Sequence, residues 1–224
     1  MRQIQIALDG PSGAGKSTIA KHVARTLGIL YLDTGAMYRA VALKALRAGI
    51  DPSDADAVDH LLAGTRVDVA YREDGQRVLL DGEDVSEAIR TNEVSMGASK
   101  VSAHPRVRVR MVALQQEIAA RGGVVMDGRD IGTKVMPHAD VKIFLTASAE
   151  DRAMRRFLEL QEKGMLDRTY DALLEEIRTR DHNDSHRAHS PLARAEDAIL
   201  LDTTGFSLEE SVAAIMAIIR RKVG

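Results

Sequence analysis

Lys16 and Ser17 close the stretch "DGPSGAGKST" (residues 9–18), and Gly10 and Gly15 bracket its middle. The order is G-x-x-x-x-G-K-S/T, the spacing of a loop that cradles the phosphates of a nucleoside triphosphate. Each residue type has a task in such a loop. Glycines let the backbone turn so that amide N–H groups face phosphate oxygens, and the following helix adds its positive end. The Lys16 ammonium is expected on the β- and γ-phosphates and the Ser17 hydroxyl on magnesium. Gly10, Pro11, Ser12, Gly13, Ala14, Gly15, Lys16, Ser17 and Thr18 are thus the candidate ATP-binding set, with Mg2+ as cofactor. The motif gains weight only with a strand before it and a helix after it. "IQIALD" and "KSTIAKHVARTLG" supply both. The bland alternative, a Gly-rich turn that holds nothing, fits the complete motif in this setting poorly.

The triphosphate needs a reaction. No N-K-x-D element for guanine occurs, and no apolar strand ends in the Asp-Glu pair of a motor ATPase. A compact kinase remains, and it must hold a second anion. The 31 basic residues are 23 Arg and 8 Lys, and Arg carries the planar fork that grips phosphate. In "LDTGAMYR" (32–39), Thr34 and Gly35 follow a strand-like run, at the strand end where open sheets bind ligands. Arg39, one helical turn on, suits an acceptor-phosphate clamp, and Asp33 suits a magnesium-bound water. The alternative is that Thr34 caps a helix and Arg39 is solvated. "MDGRDIGT" (126–133) sets Asp127, Arg129 and Asp130 at another strand end, where the alternative is a surface ion cluster.

Three further stretches are rich in arginine. In "AHPRVRVR", Pro105 opens a helix, so Arg106, Arg108 and Arg110 cannot share one face and one should point inward. In "SAEDRAMRRFLELQEKG", Arg152 and Arg156 are four apart with Arg155 beside them. They suit a mobile lid over the transferring phosphates, or else an ordinary charged helix with Glu159 and Glu162 as partners. "RTRDHNDSHRAHSP" (178–191) holds Arg178, Arg180, Asp184 and Arg187, together with His182, His186 and His189. The histidine spacing allows a metal, but no carboxylate or thiolate set completes a site.

Elements must position these groups. "IQIAL" (4–8), "ILYLD" (29–33), "VVMDG" (124–128), "VKIFL" (141–145) and "AILLD" (198–202) are short apolar runs, as strands of a doubly covered parallel sheet should be. Helical patterns lie between them. The last has Leu208, Val212, Ile215 and Ile219 as one stripe, with Ser207 as N-cap and Glu210 three residues on. The expected class is α/β, three-layered, with five parallel strands. Residues 66–85 depart from the rhythm: alternating segments separated by "EDG" and "DG" predict two or three short antiparallel strands, flanked by helices near 53–64 and 86–98.

Bulk properties narrow the class. There is no cysteine, which excludes disulfides, thiolate metal sites and a cysteine nucleophile. A net charge of -2, four tyrosines, three phenylalanines and no tryptophan argue against a nucleic-acid partner. No apolar run approaches the ~20 residues of a membrane span, and with "IQIALDG" so near the first residue no charged leader with a cleavage site is expected. A cytoplasmic enzyme with no membrane partner is expected. No coiled-coil repeat appears, so a monomer is expected.

In order and spacing, "GPSGAGKST", "LDTGAMYR", "GRDIGT", "VKIFLTAS" and "RDHNDSHRAHSPL" resemble bacterial cytidylate kinase over essentially the whole chain, including the insert around 63–100. The resemblance implies a P-loop three-layer fold with a five-stranded parallel sheet. The implied core comprises residues 1–34, 104–150 and 165–224, with a monophosphate-binding region and its small antiparallel insert at about 35–103 and a short helical lid at about 151–164. It implies transfer of the γ-phosphoryl group of ATP to CMP or dCMP with Mg2+. Lys16, Arg129, Arg152 and Arg156 would act on the transferring group. Arg39 and Arg129 would hold the CMP phosphate; Ser99, Arg108 and Asp130 would read cytosine; Asp184 would bind the ribose, with Arg180 and Arg187 in support. Thr34 stands where the family commonly has Ser and keeps the hydroxyl. Other small P-loop kinases, for UMP, AMP or shikimate, and a non-enzymatic nucleotide-binding module are the rival readings.

Overall fold

The computed structural model describes residues 4–72 and 75–223. In chain order the elements are β1 (Gln5–Asp9), α1 (Lys16–Leu27), β2 (Leu30–Asp33), α2 (Thr34–Arg47), α3 (Ala55–Ala63), β3 (Val67–Arg72), β4 (Gly75–Leu80), β5 (Glu83–Asp84), α4 (Asn92–Val101), α5 (Pro105–Ala119), β6 (Val124–Gly128), β7 (Val141–Thr146), α6 (Ala149–Glu162), α7 (Tyr170–His186), β8 (Ile199–Asp202) and α8 (Leu208–Val223). One sheet has the order β2-β6-β1-β7-β8, the other β3-β4-β5. All five apolar runs expected as strands are strands of the first sheet. The chain divides into two compact units, residues 1–30 with 122–224, and residues 31–121.

In the first unit, β1 pairs in parallel with β6 and β7. Ile6, Ala7 and Leu8 are fully buried, as are all five residues of β6, because helices cover both faces of a parallel sheet. The register sets Asp9 level with Gly128 on one side and Phe144 on the other. The loops after β1 and β6 therefore leave the sheet side by side at its carboxyl end, where α/β sheets bind ligands. α8 opens on the expected reciprocal cap: the Glu210 amide donates to Ser207 Oγ at 3.1 Å, and the Ser207 amide donates to Glu210 Oε2 at 2.8 Å. Its buried face is Ser211, Ile215, Met216, Ile218 and Ile219, while Leu208 in the first turn stays half exposed.

In the second unit, β3, β4 and β5 form the antiparallel insert, so the region holds three strands, the last of two residues. Glu73 and Asp74 of the "EDG" turn lie outside the described residues. The helix expected over 86–98 is broken in two. A single 3-10 turn spans Ala88–Arg90, then the Thr91 hydroxyl accepts the Val94 amide at 3.3 Å and starts α4. α5 begins at Pro105, as the sequence predicts. Among the described residues no helix is long and apolar enough to cross a membrane.

Candidate active site

The phosphate loop turns because Gly10, Gly13 and Gly15 adopt positive φ. Gly10 is the most constrained. At φ 147°, a Cβ built on it would lie 1.9 Å from the Leu145 carbonyl oxygen, so the loop crosses the end of β7 with no room for a side chain. The N-cap of α1 is Gly15, no side chain caps that helix among the described residues, and no acid lies in its first turn. Its positive end is thus left for an anion. Lys16 is buried, and its Nζ donates to the Pro11 carbonyl at 2.6 Å. Burial and then the Arg129 charge hold its proton affinity well below the usual lysine value, with Asp127 and Asp9 opposing.

Two carboxylates not central to the motif organise this end of the sheet. Asp9, 4% exposed, accepts the Ile131 amide at 2.8 Å and the Gly132 amide at 2.7 Å. It thereby ties the end of β1 to the single π-helical turn Ile131–Val135 that follows β6. Burial pushes its carboxyl from the ordinary 3.8 to about 6. Asp127, also buried, accepts the Ser17 hydroxyl at 2.8 Å. A hydroxyl and a carboxylate oxygen side by side are the hard donors Mg2+ prefers, so the donor set fits this cofactor. Among the described residues no group of three or more His, Asp or Glu side chains could hold a metal by itself. His182 and His186 instead stack, ring centroids 4.1 Å apart.

Beyond β6, Arg129 Nε donates to Asp184 Oδ2 at 2.7 Å and its Nη1 donates to the Gly128 carbonyl. Burial would raise the Asp184 carboxyl, but Arg129, then Arg180 and Arg187, hold it below its usual value. Arg129, Arg180, Asp184 and Arg187 are thus one electrostatic cluster, joined by the loop after β6 and the end of α7. Asp130 is buried at the start of the π-helical turn, where its carbonyl accepts the Lys134 amide.

The three arginines of α6 differ. Arg152 is 4% exposed. Its Nε donates to the Ala147 carbonyl, Nη1 to the Ser12 carbonyl of the phosphate loop at 2.9 Å, and both terminal nitrogens to Asp181 at 3.1 and 2.6 Å. Arg155 bonds Asp151 and the Thr203 carbonyl. Arg156 is exposed and pairs with Glu159 at 2.9 Å. Arg152 and Arg156 share a helical spacing, yet one is packed under the loop and the other lies in solvent. Arg178 is exposed, paired with Glu150 and Glu175.

In the second unit, Asp33 and not Thr34 caps α2: its Oδ1 accepts the Ala36 amide at 3.0 Å. Its Oδ2 accepts Arg39 Nη2 at 2.6 Å and Arg90 Nη1 at 3.3 Å. Burial opposes ionisation here, but Arg39 and then Arg90 hold the Asp33 carboxyl below its ordinary value. Thr34 is buried at the first position of α2. Arg108 is the inward member of its trio, 4% exposed, with Nη1 on the Ser102 carbonyl and its guanidinium 5.6 Å from the Tyr38 ring centre. Arg106 points out to Asp59, and Arg110 binds the Leu62 and Thr65 carbonyls. Ser99 is half buried on α4, its carbonyl accepting the Ser102 hydroxyl.

Sequence reasoning missed Asp9, Asp181 and Arg90. Asp9 carried a signal, since an acid ending an apolar strand just before a phosphate loop is buried by the strand's own pattern. Asp181 and Arg90 carried none, because their partners, Arg152 and Asp33, are 29 and 57 residues away.

Comparison with known proteins gives the family. The family model described as cytidylate kinase matches residues 6–221. The cytidylate kinase of Caldicellulosiruptor bescii is 52% identical over 223 residues, covering 100% of this chain and 98% of its own length. That of Bacillus subtilis is 48% identical over 221 residues, covering 99% and 98%. Among solved structures, a gluconokinase from Sinorhizobium meliloti aligns with a TM-score of 0.51 at 16% identity, covering 99% of this chain and 94% of its own. An uncharacterized protein from Eubacterium ventriosum aligns with a TM-score of 0.53 at 11% identity, covering 97% and 99%. At such identities these two structures speak for the fold alone.

Proposed function

The chain belongs to the cytidylate kinase family, and on that premise we propose that it transfers the γ-phosphoryl group of ATP to CMP or dCMP, giving ADP and CDP or dCDP. The observation that carries this reading is the pairing of a glycine-turned phosphate loop with an arginine–carboxylate cluster at neighbouring strand ends, after β1 and β6.

The acceptor oxygen is already anionic, so direct in-line transfer needs no general base and no covalent enzyme intermediate. Catalysis is positioning plus charge stabilisation. Lys16, held on the Pro11 carbonyl, turns to the β- and γ-phosphates, whose negative charge favours its ammonium form. Ser17 and Asp127 would hold Mg2+, which would screen the charge of the triphosphate. Arg129 joins Lys16 in neutralising the transferring group and also grips the CMP phosphate with Arg39. Arg152 and Arg156 are proposed to close over the phosphates. Arg152 must leave Asp181 to do so, and Arg156 must leave Glu159. Excluding water at that point prevents hydrolysis of ATP.

For the nucleoside, Ser99, Arg108 and Asp130 read cytosine. Asp130 accepts from the exocyclic amine while Arg108 and Ser99 donate to the ring acceptors. Uracil presents an acceptor in place of that amine, so the site's own groups go unpaired and UMP is a poor substrate. Asp184 takes the ribose hydroxyls with Arg180 and Arg187 in support, and Thr34 lines the acceptor end. Asp33, proposed for a magnesium-bound water, can serve there only when Arg39 moves from it to the acceptor phosphate. A monomeric, cytoplasmic enzyme of pyrimidine nucleotide metabolism completes the reading.

The test is a coupled ADP-release assay with Mg-ATP and CMP, dCMP, UMP or AMP offered separately. Fast turnover with CMP and dCMP only is expected. Turnover with UMP or AMP in their place would discard the roles of Ser99, Arg108 and Asp130, and turnover with none would discard the reading.

A further inference from the structure

The inserted segment reaches the start of α2 at two points. Gln76 of β4 clasps the backbone of Asp33: its Oε1 accepts the Asp33 amide at 2.7 Å, and its Nε2 donates to the Asp33 carbonyl at 3.3 Å. Arg90, on the 3-10 turn, reaches Oδ2 of the same residue. Arg39 reaches that same oxygen from α2. Two guanidiniums therefore converge on one carboxylate oxygen, leaving the trio with a net charge of +1.

Neither arginine is used up by this contact. Arg39 Nε is buried with no hydrogen-bond partner, and buried donors left unmade are rare and costly. The Arg90 side chain is 54% exposed, and Asp33 at 3.3 Å is its one polar contact among the described residues. A half-exposed pair of that length adds little to stability. Gly35 keeps the space open: a Cβ there would come within 3.2 Å of both Arg39 Nη1 and Asp33 Oδ1. An unsatisfied buried donor, a second guanidinium with free N–H groups and a positive balance together describe a receptor for an oxyanion.

We propose that Arg90 is a second arm of the acceptor-phosphate clamp, acting with Arg39 on the phosphate monoester of the nucleotide. Before the phosphate arrives, Asp33 is the positioning residue that holds the two guanidiniums together against their mutual repulsion. The inference rests on the phosphoryl-acceptor reading above and deepens it, because it gives the insert a direct part in binding the substrate's phosphate.

The experiment compares wild type with Arg90→Gln and Arg90→Lys in the ADP-release assay, varying CMP at saturating ATP and then ATP at saturating CMP. Cytidine, which lacks the phosphate, is run as a competitive inhibitor, and thermal melting checks the fold. Arg90→Gln is expected to raise KM for CMP roughly tenfold or more, as loss of a charge-assisted contact should. KM for ATP and the inhibition constant of cytidine should stay within about twofold, because an uncharged competitor never used the clamp. Arg90→Lys should recover part of the loss, since the charge remains while the fork is gone. A KM for CMP within about twofold of wild type in Arg90→Gln overturns the proposal. Equal weakening of CMP and cytidine also overturns it, because Arg90 would then shape the pocket and not hold the phosphate. If Arg90→Gln fails to fold, Arg90→Lys decides alone: a rise of about threefold or more in KM for CMP with ATP unaffected supports the clamp, and no rise overturns it. A wild-type enzyme that ignores CMP would instead overturn the functional reading.

Discussion

Asp9→Asn separates the electrostatic cost of the site from its geometry. The wild-type carboxyl is buried and raised from 3.8 to about 6. Burial drives the rise, the Gly132 and Ile131 amides oppose it, the Asp130 charge adds to it, and Lys16 opposes it. The folded protein thus binds this proton more tightly than the unfolded chain. Stability from this group is greatest below pH 4, falls as pH climbs toward 6, and is lowest above that. Two pH units of separation at about 1.4 kcal/mol each make the cost at neutral pH about 3 kcal/mol. Asparagine cannot ionise, so it escapes that cost. It keeps one acceptor oxygen, but its amide nitrogen faces the second backbone N–H, and an orphaned buried donor costs about 1–3 kcal/mol.

The two effects predict a crossover. At pH 4, where Asp9 is largely protonated, Asp9→Asn should be less stable than wild type or at best equal to it. At pH 7 it should be equal or more stable. Urea unfolding at pH 4, 5, 6 and 7 gives the difference directly, and that difference should shift by about 3 kcal/mol in favour of the variant across the range. A difference constant to within about 0.5 kcal/mol would refute the argument that this carboxyl titrates in that window. Activity should move the other way. The two amides held by Asp9 set the π-helical turn that follows Arg129 and Asp130. At pH 7, where the variant is stable, turnover with CMP should fall roughly ten- to hundredfold, as a small misplacement of positioning groups does.

Other outcomes follow from the same structure. Lys16→Ala should lower turnover by about a hundredfold or more while the protein stays folded, read by ADP release and thermal melting. Arg39→Ala should raise KM for CMP more than KM for ATP, and an unchanged CMP dependence would refute the clamp role. Gly10→Ala should lower the melting temperature sharply or prevent folding, because its Cβ has no space beside the Leu145 carbonyl.

The fold was legible because its signals are local. Five apolar runs, the Pro105 helix start and the Ser207–Glu210 cap each act within a few residues. The break at Thr91 was missed although Thr is a favoured N-cap, because the apolar pattern runs on across it and only its hydroxyl on the Val94 amide marks the new start. The different surroundings of Arg152 and Arg156 were not legible for another reason. Helical spacing says that two side chains share a face, not what the face meets. Arg152 meets the phosphate loop and α7, whereas Arg156 meets solvent.

Motif spacing exposed the cations of the candidate site, and Asp33 and Asp184 among its anions, but not which anion holds which cation. Arg39, Arg129 and Arg152 each stand out in sequence beside a glycine-rich or helical signature. In the structure each is held by an aspartate: Asp33, Asp184 and Asp181. The reason is electrostatic. Guanidiniums gathered within one unit, such as Arg129, Arg180 and Arg187 around Asp184, would repel one another without it, and the repulsion grows as burial lowers the local dielectric. A carboxylate per arginine removes most of that repulsion while fixing the direction of the fork. The arriving phosphate then needs only a free edge of each guanidinium, or a short exchange from carboxylate to phosphate, and the protein need not assemble the charges anew. Neutralising any of these aspartates should therefore do more than delete an ion pair: it should leave its arginine charged but unaimed, so that substrate affinity falls even though a competing anion has been removed.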